Sequence, residues 1–86
     1  MTTDEFIRTA KKAVRNSYNA QAEKDVRRPI GSGNVILVWF CKTLQNYKAL
    51  LITDKFDGRY YEFTYNGDKS EGYLDTYAKV SNEVVL

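Results

Sequence analysis

The sequence of 86 residues contains no histidine, a single cysteine and a single proline. Without histidine, Ser-His-Asp and Cys-His catalytic sites and histidine-based metal sites are excluded. The single cysteine, Cys41, allows no internal disulfide and no cysteine cluster for zinc or an iron–sulfur centre. No P-loop, dinucleotide-binding fingerprint or G-x-S-x-G motif is present. We therefore expect a protein that is not an enzyme and needs neither a metal nor a cofactor.

The chain also lacks any apolar run near the roughly 20 residues that span a bilayer. Residues 1–5 are acidic and include no apolar signal-peptide region. A lone cysteine is typical of a reducing compartment. These features predict a cytoplasmic protein without a membrane partner. The length suits a single domain, residues 1–86, and the 43% hydrophobic content supplies its core.

Residues from about 3 to 23 have the pattern of an amphipathic helix, because apolar or small residues recur at helical spacing. They are Phe6, Ile7, Ala10, Ala13, Val14, Ser17 and Tyr18. Thr2 and Glu5 have the spacing of a capping box at the start of this helix. Residues 26–34, which contain Pro29 and two glycines, are predicted to be a connector.

Three strands are predicted after the connector, at Val35–Thr43, Lys48–Thr53 and Arg59–Tyr65, because these segments are rich in β-branched and aromatic residues. The last segment is ambiguous. Asn66-Gly67 is a hairpin signal that predicts a fourth strand, whereas the spacing of Tyr73, Tyr77, Val80 and Val84 predicts a helix over about 70–84. We expect an α+β fold of order αβββα, with a fourth strand in place of the last helix as the alternative.

An apolar sheet face is the first candidate site. Val35–Thr43 is apolar on both sides, while helices are expected to cover only one side of the sheet. The residues predicted to share the other side are Ile36, Val38, Phe40 and Tyr60. An exposed apolar patch of this kind is a candidate surface for a partner protein or for a second copy of the chain. Cys41, in the same strand, is expected to be a small buried residue.

Basic residues near the N-terminus are the second candidate site. Residues 1–28 contain seven Lys and Arg against four Asp and Glu. The candidates for binding nucleic acid, a nucleotide or another anion are Arg8, Lys12, Arg15, Arg27 and Arg28. For Arg8, Lys12 and Arg15 the favoured interpretation is the solvated face of an amphipathic helix, whereas Arg27 and Arg28 belong to the connector and point more to binding. Three acidic residues, Asp68, Glu71 and Asp75, suggest a divalent metal site. They are better interpreted as acidic side chains exposed to solvent at the surface.

Two blocks of the sequence, Trp39–Leu51 and Tyr60–Glu71, followed by Tyr73–Tyr77, resemble segments of small uncharacterised proteins encoded by phages and prophages of Firmicute bacteria. The resemblance implies an accessory phage protein acting in the host cytoplasm, and it carries no catalytic residues. We expect a binding protein that engages a host protein, such as a host-defence factor. The alternative is a nucleic-acid or nucleotide binder that uses the basic residues.

Overall fold

The computed structural model describes all of residues 1–86 and contains one α-helix and one antiparallel sheet. The helix α1 spans Thr3–Lys24, and a short 3₁₀ turn covers Ser32–Asn34. The strands are β1 (Val35–Thr43), β2 (Asn46–Thr53), β3 (Arg59–Asn66) and β4 (Glu71–Ala78). Each strand pairs with the next, so the spatial order β1-β2-β3-β4 follows the chain. The α+β class is confirmed, in the form of its four-stranded alternative.

The start of α1 is fixed by the predicted capping box. The Thr2 hydroxyl accepts a hydrogen bond from the Glu5 amide at 3.1 Å, and the Glu5 carboxylate accepts one from the Thr2 amide at 3.2 Å. The Thr2 side chain, followed by the Thr2 amide, favours the ionised Glu5 carboxylate by hydrogen bonding, and this lowers the pKa of Glu5. The predicted apolar stripe is confirmed, because Phe6, Ala10 and Val14 are completely buried against the sheet.

The core lies between α1 and one face of the sheet. Phe6 is at its centre, with its ring 4.7 Å from that of Tyr47 and 5.7 Å from that of Phe63. The sheet contributes alternate residues, among them Ala49, Leu51 and Tyr61, as expected for strands with one covered face. No second helix packs on the sheet, so its other face is left uncovered.

The predicted helix over about 70–84 is wrong. Residues 71–78 form β4, which pairs with β3 from Asn66↔Glu71 to Arg59↔Ala78 without a register shift. A spacing of four residues fits a strand as well as a helix, because it is an even number and strand side chains alternate with a period of two. Tyr73 and Tyr77 therefore lie on one side of β4. After Ala78 the chain has no regular secondary structure.

The Asn66-Gly67 signal marks a real hairpin, although its loop is the four residues 67–70 instead of two. Gly67 lies against the turn that joins β1 and β2. A Cβ atom at this position would overlap the carbonyl oxygen of Gln45, so no larger residue fits there. The Asn46 side chain accepts a hydrogen bond from the Gly67 amide at 3.0 Å and joins the two turns further.

Candidate functional site

The uncovered side of the sheet, called the open face below, consists of four rows of side chains that run across the four strands. Directly paired residues of adjacent strands lie on the same face, as do residues two apart along one strand, so the register assigns each row. In order from β1 to β4 the rows are Ile36, Ile52, Tyr60 and Tyr77; then Trp39, Leu50, Glu62 and Asp75; then Cys41, Lys48, Thr64 and Tyr73; and last Thr43, Asn46, Asn66 and Glu71.

The first row and part of the second make the open face apolar. Its large side chains keep a considerable exposed fraction, which is 39% for Ile36, 43% for Trp39 and 40% for Tyr60. The rings of Tyr60 and Tyr77 stack with their centroids 5.0 Å apart. Such stacking restricts the conformations of the two exposed side chains, and it leaves their apolar ring surface accessible to a partner.

A bulge in β1 alters the predicted composition of this face. The register shifts between Leu37 and Trp39, so Val38 is the extra residue. Before the shift Ile36 is on the open face as predicted. After it Trp39 pairs with Leu50 on the open face, and Phe40 pairs with Ala49 on the side that α1 covers. The prediction that Phe40 shares a face with Ile36 and Tyr60 is therefore wrong, because a bulge reverses the alternation.

The open face carries more acidic than basic side chains. Lys48 is the only cation that the four strands place there, and its Nζ lies 3.3 Å from the Glu62 carboxylate. Asp75 lies directly opposite Glu62 and forms no ion pair. Like charges in direct opposition across a sheet destabilise it. Glu62 and, to a lesser extent, Asp75 also raise the pKa of Tyr77, because a negative phenolate is unfavourable beside them.

Cys41 is exposed on the open face, paired with Lys48, so the expectation that it is buried is wrong. The bulge is again the physical reason, because Cys41 follows it and stands in the third row on an edge strand. An exposed lone thiol is a useful chemical reporter of this surface.

The predicted basic residues do not form one surface. Arg27 is held within the structure: its guanidinium lies 4.7 Å from the centre of the Tyr18 ring, 3.3 Å from the Asp25 carboxylate and 3.6 Å from that of Asp57. These contacts join the end of α1 to the loop between β2 and β3. The positive charge of Arg27 is therefore largely neutralised by neighbouring carboxylates.

The other four basic residues share none of the contacts of Arg27. Arg15 donates hydrogen bonds to Asn16 and to the Ser32 hydroxyl, the latter at 3.4 Å. Arg8 and Lys12 are exposed one turn apart on α1, and Arg28 is exposed in the connector. Anion binding by these residues stays a prediction, and it would involve α1 more than the connector.

The acidic residues form no metal-binding group. The structure brings no three Asp, Glu or Cys side chains into a cluster that could hold a metal ion. Asp68 instead accepts a hydrogen bond from Gln45, and Glu71 accepts one from the Tyr73 hydroxyl, which raises the pKa of Tyr73. The structure also contains no helix with the length and apolar character needed to cross a bilayer.

Comparison with known families gives one match, which extends over residues 7–86. The chain belongs to DUF6275, a family of unknown function. The match includes α1 from Ile7 onward and all four strands, so the open face lies entirely within the DUF6275 domain. No curated protein and no solved structure matches the chain.

Sequence reasoning placed Ile36 and Tyr60 on the open face and missed Trp39 and Tyr77. Tyr77 was missed because its segment was assigned to a helix, and the Asn66-Gly67 signal for a fourth strand was the evidence that could have placed it. Trp39 was assigned to the covered side, and no local sequence signal marks the bulge that moves it.

Proposed function

We propose that this protein is a non-enzymatic binding protein that docks onto another protein through its open face. The observation that carries the proposal is the uncovered apolar surface around Trp39, Tyr60 and Tyr77. Exposed aromatic side chains that are already ordered lose little conformational entropy when a partner covers them. Tryptophan and tyrosine are also the residues that most often dominate the binding energy of protein interfaces.

The charges of the open face specify the chemistry of the partner. Asp75 has no cation of its own, and it faces the carboxylate of Glu62. A lysine or arginine of the partner that reaches this pair would relieve their repulsion and form a charge-assisted hydrogen bond. The proposed partner surface is therefore apolar at its centre and carries a basic side chain that meets Asp75.

The same charges favour a different protein over a second copy of this chain. If two open faces met, each would bring Glu62 and Asp75 but only one lysine, Lys48, which is already paired within its own face. The excess of carboxylates would oppose such self-docking. A homodimer formed through the open face would contradict the proposal.

The biological setting proposed for this docking follows the resemblance to phage and prophage proteins of Firmicute bacteria. In that setting the partner is a host protein, for example a factor of the host's anti-phage defence, and the compartment is the bacterial cytoplasm. Capture from host lysate tests the host partner and the interaction together.

The experiment is capture of partners from host lysate with three purified proteins: the natural chain, Asp75→Lys and the control Lys12→Ala. Lys12 is exposed on α1, on the opposite side of the molecule from the open face. We expect one protein to bind the natural chain and the control in stoichiometric amount and to be retained at least about tenfold less by Asp75→Lys, since charged hydrogen-bonded pairs contribute 1.5–3 kcal/mol.

The position of the bound partner is then tested with reporters that the chain already contains. Trp39 is the only tryptophan and Cys41 the only cysteine, and both belong to the open face. Binding of the purified partner should shift the Trp39 emission and protect Cys41 from alkylation. The proposal fails if no stoichiometric partner is recovered, if the partner leaves both reporters unchanged, or if the face instead forms a homodimer.

A further inference from the structure

A polar pocket lies on the opposite side of the sheet from the open face, between α1 and the strands β3 and β4. This helix-side pocket has a volume of about 380 Å³, which is within the range of small-molecule sites in proteins. No acidic side chain lines it. Its five lining residues all carry side chains that can donate a hydrogen bond, and they are Ser17, Gln21, Arg59, Tyr61 and Thr76.

The fold brings these five side chains together from one helix and two strands. Tyr61 pairs directly with Thr76, and Arg59 lies two residues before Tyr61 on β3, so all three share the face of the sheet that α1 covers. Ser17 and Gln21 are four residues apart on α1, and therefore they lie on one side of the helix. The pocket is built on regular helix and strand positions, which are ordered before any ligand binds.

Tyr61 is the buried group that points to a ligand. The residue is only 2% exposed, yet its hydroxyl forms no hydrogen bond within the chain and is not sealed from solvent. The small accessible part of Tyr61 lines the pocket. Burial, followed by the nearby charge of Asp57, raises the pKa of Tyr61, so the hydroxyl keeps its proton. Buried hydroxyls are normally hydrogen-bonded, and this one offers its proton to an acceptor in the pocket.

The guanidinium of Arg59 is the only charged group that lines the pocket. It is half-buried and forms no ion pair. Asp57, the acid closest in sequence, accepts a hydrogen bond from the Arg59 backbone amide, and its carboxylate lies 3.6 Å from the Arg27 guanidinium. The N–H groups of Arg59 are therefore free to bind an oxyanion in the two-bond manner that suits a guanidinium.

The other polar side chains of the pocket have no strong partner to give up. The hydroxyls of Ser17 and Thr76, like that of Tyr61, have no hydrogen-bond partner within the chain. The Gln21 amide reaches only the Asp25 carboxylate, through two long hydrogen bonds of 3.4 Å. Several free donors around one guanidinium suit a ligand with more than two acceptor oxygens, and phosphate has four whereas a carboxylate has two.

We infer that the helix-side pocket binds a small oxyanion of the phosphate class, with the Arg59 guanidinium holding two of its oxygens and the surrounding hydroxyls donating to the others. The ligand is inorganic phosphate or the phosphate group of a small ester. This site lies on the other face of the sheet from the docking surface proposed above, and none of its residues belongs to the open face. The two proposals therefore stand or fall separately.

The test titrates inorganic phosphate into the isotope-labelled full chain at constant ionic strength, and follows the amide chemical shifts by NMR. We expect saturable shifts at Ser17, Tyr61 and Thr76, with acetate at least about tenfold weaker, since it offers fewer oxygens and less charge. Tyr61→Phe and Arg59→Gln should each weaken phosphate binding by about tenfold or more, the usual effect of removing one hydrogen bond to a charged group.

Each variant has a matched control outside the pocket. Tyr65→Phe removes a hydroxyl from the same face of β3, and Arg28→Gln removes an exposed guanidinium, so neither should alter binding. Tyr61→Phe keeps the ring that the core needs, and it tests the site even if Arg59→Gln impairs folding.

Glycerol phosphate then separates the two sources of the ligand. Binding about tenfold tighter than that of inorganic phosphate identifies an ester, and equal or weaker binding identifies the free ion. The inference is overturned if phosphate causes no saturable shifts, if acetate binds as tightly, or if Arg28→Gln loses binding as Arg59→Gln does. Shifts that map to Arg8 and Lys12 instead of the pocket would also overturn it.

Discussion

Gly72 of β4 lies against the ring of Phe63 on β3, so closely that a Cβ atom at Gly72 would be 2.8 Å from Cζ of that ring. Phe63 is buried and packs on Phe6 of the helix. The ring therefore has little room to move away. This contact accounts for a glycine in the middle of an aromatic-rich segment, where glycine is otherwise unfavourable in a strand.

We predict that Gly72→Ala lowers the free energy of unfolding by about 1–3 kcal/mol, the usual effect of forcing an extra methyl group into a packed site. Urea denaturation measures the change. Gly33→Ala is the control, because no atom lies within 4 Å of a Cβ at that position. Equal stabilities for Gly72→Ala and the natural chain would show that β4 does not pack on Phe63 as described.

The same glycine explains part of what the sequence could and could not predict. In a helix over 70–84, Gly72 would only lower the helix propensity modestly. In a strand, glycine is the one residue type that fits beside Phe63. That distinction depends on a residue of another strand, so it is invisible in the local pattern. By contrast α1 and β1 were predicted closely, because a long apolar stripe with a capping box and a dense β-branched run are signals contained within each element.

The open face was predicted in outline and not in detail. Its existence followed from the two apolar sides of β1 and from a helical layer expected on one side only. Its composition depended on the bulge at Val38, which exchanges the sides of Trp39 and Phe40. The contact between the Lys79 amide and the Gly58 carbonyl oxygen was not anticipated at all, because it requires the chain after β4 to return to the loop between β2 and β3.

Asp75→Lys is predicted to stabilise the fold while it weakens docking. A lysine at this position would face Glu62 and replace a repulsive cross-strand pair with an attractive one, a change of about 0.2–1 kcal/mol. Thermal or urea unfolding measures the gain. Glu83→Lys makes the same change of charge in the exposed C-terminal segment and should have no effect.

The origin of that gain can be isolated with a double-mutant cycle. In a Glu62→Gln background, Asp75→Lys should lose most of its stabilising effect, because the opposing charge is gone. If Asp75→Lys instead destabilises the natural chain, the two carboxylates do not repel one another. A residue whose replacement improves stability and impairs binding is one retained for function.

Alkaline pH is predicted to destabilise the protein through Tyr61. Burial in the core, followed by the nearby charge of Asp57, raises the pKa of Tyr61 above its usual value of 10.0. The folded state then keeps the proton at a pH where the unfolded chain releases it. Stability is therefore fully present below about pH 10 and falls as the pH rises through the folded-state pKa.

Tyr61→Phe should make the free energy of unfolding less dependent on pH above 10, as measured by urea denaturation at a series of pH values. Tyr65→Phe is a suitable comparison, because Tyr65 is a partly buried tyrosine of the same strand. An unchanged slope in Tyr61→Phe would assign the alkaline loss of stability to other groups, such as Tyr73 and Tyr77, whose pKa values are also raised.

Arg27 and Arg28 are neighbours of the same type with opposite surroundings, and therefore they provide a matched pair. Arg27 stacks on Tyr18 and bridges Asp25 and Asp57, whereas Arg28 is exposed. We predict that Arg27→Ala lowers the free energy of unfolding by about 1–2 kcal/mol, through the lost cation–π contact and the unpaired Asp57.

Arg28→Ala should stay within about 0.5 kcal/mol of the natural chain. If both variants are equally stable, Arg27 does not join α1 to the loop, and its charge is free to meet a nucleic acid, as the sequence alone suggests.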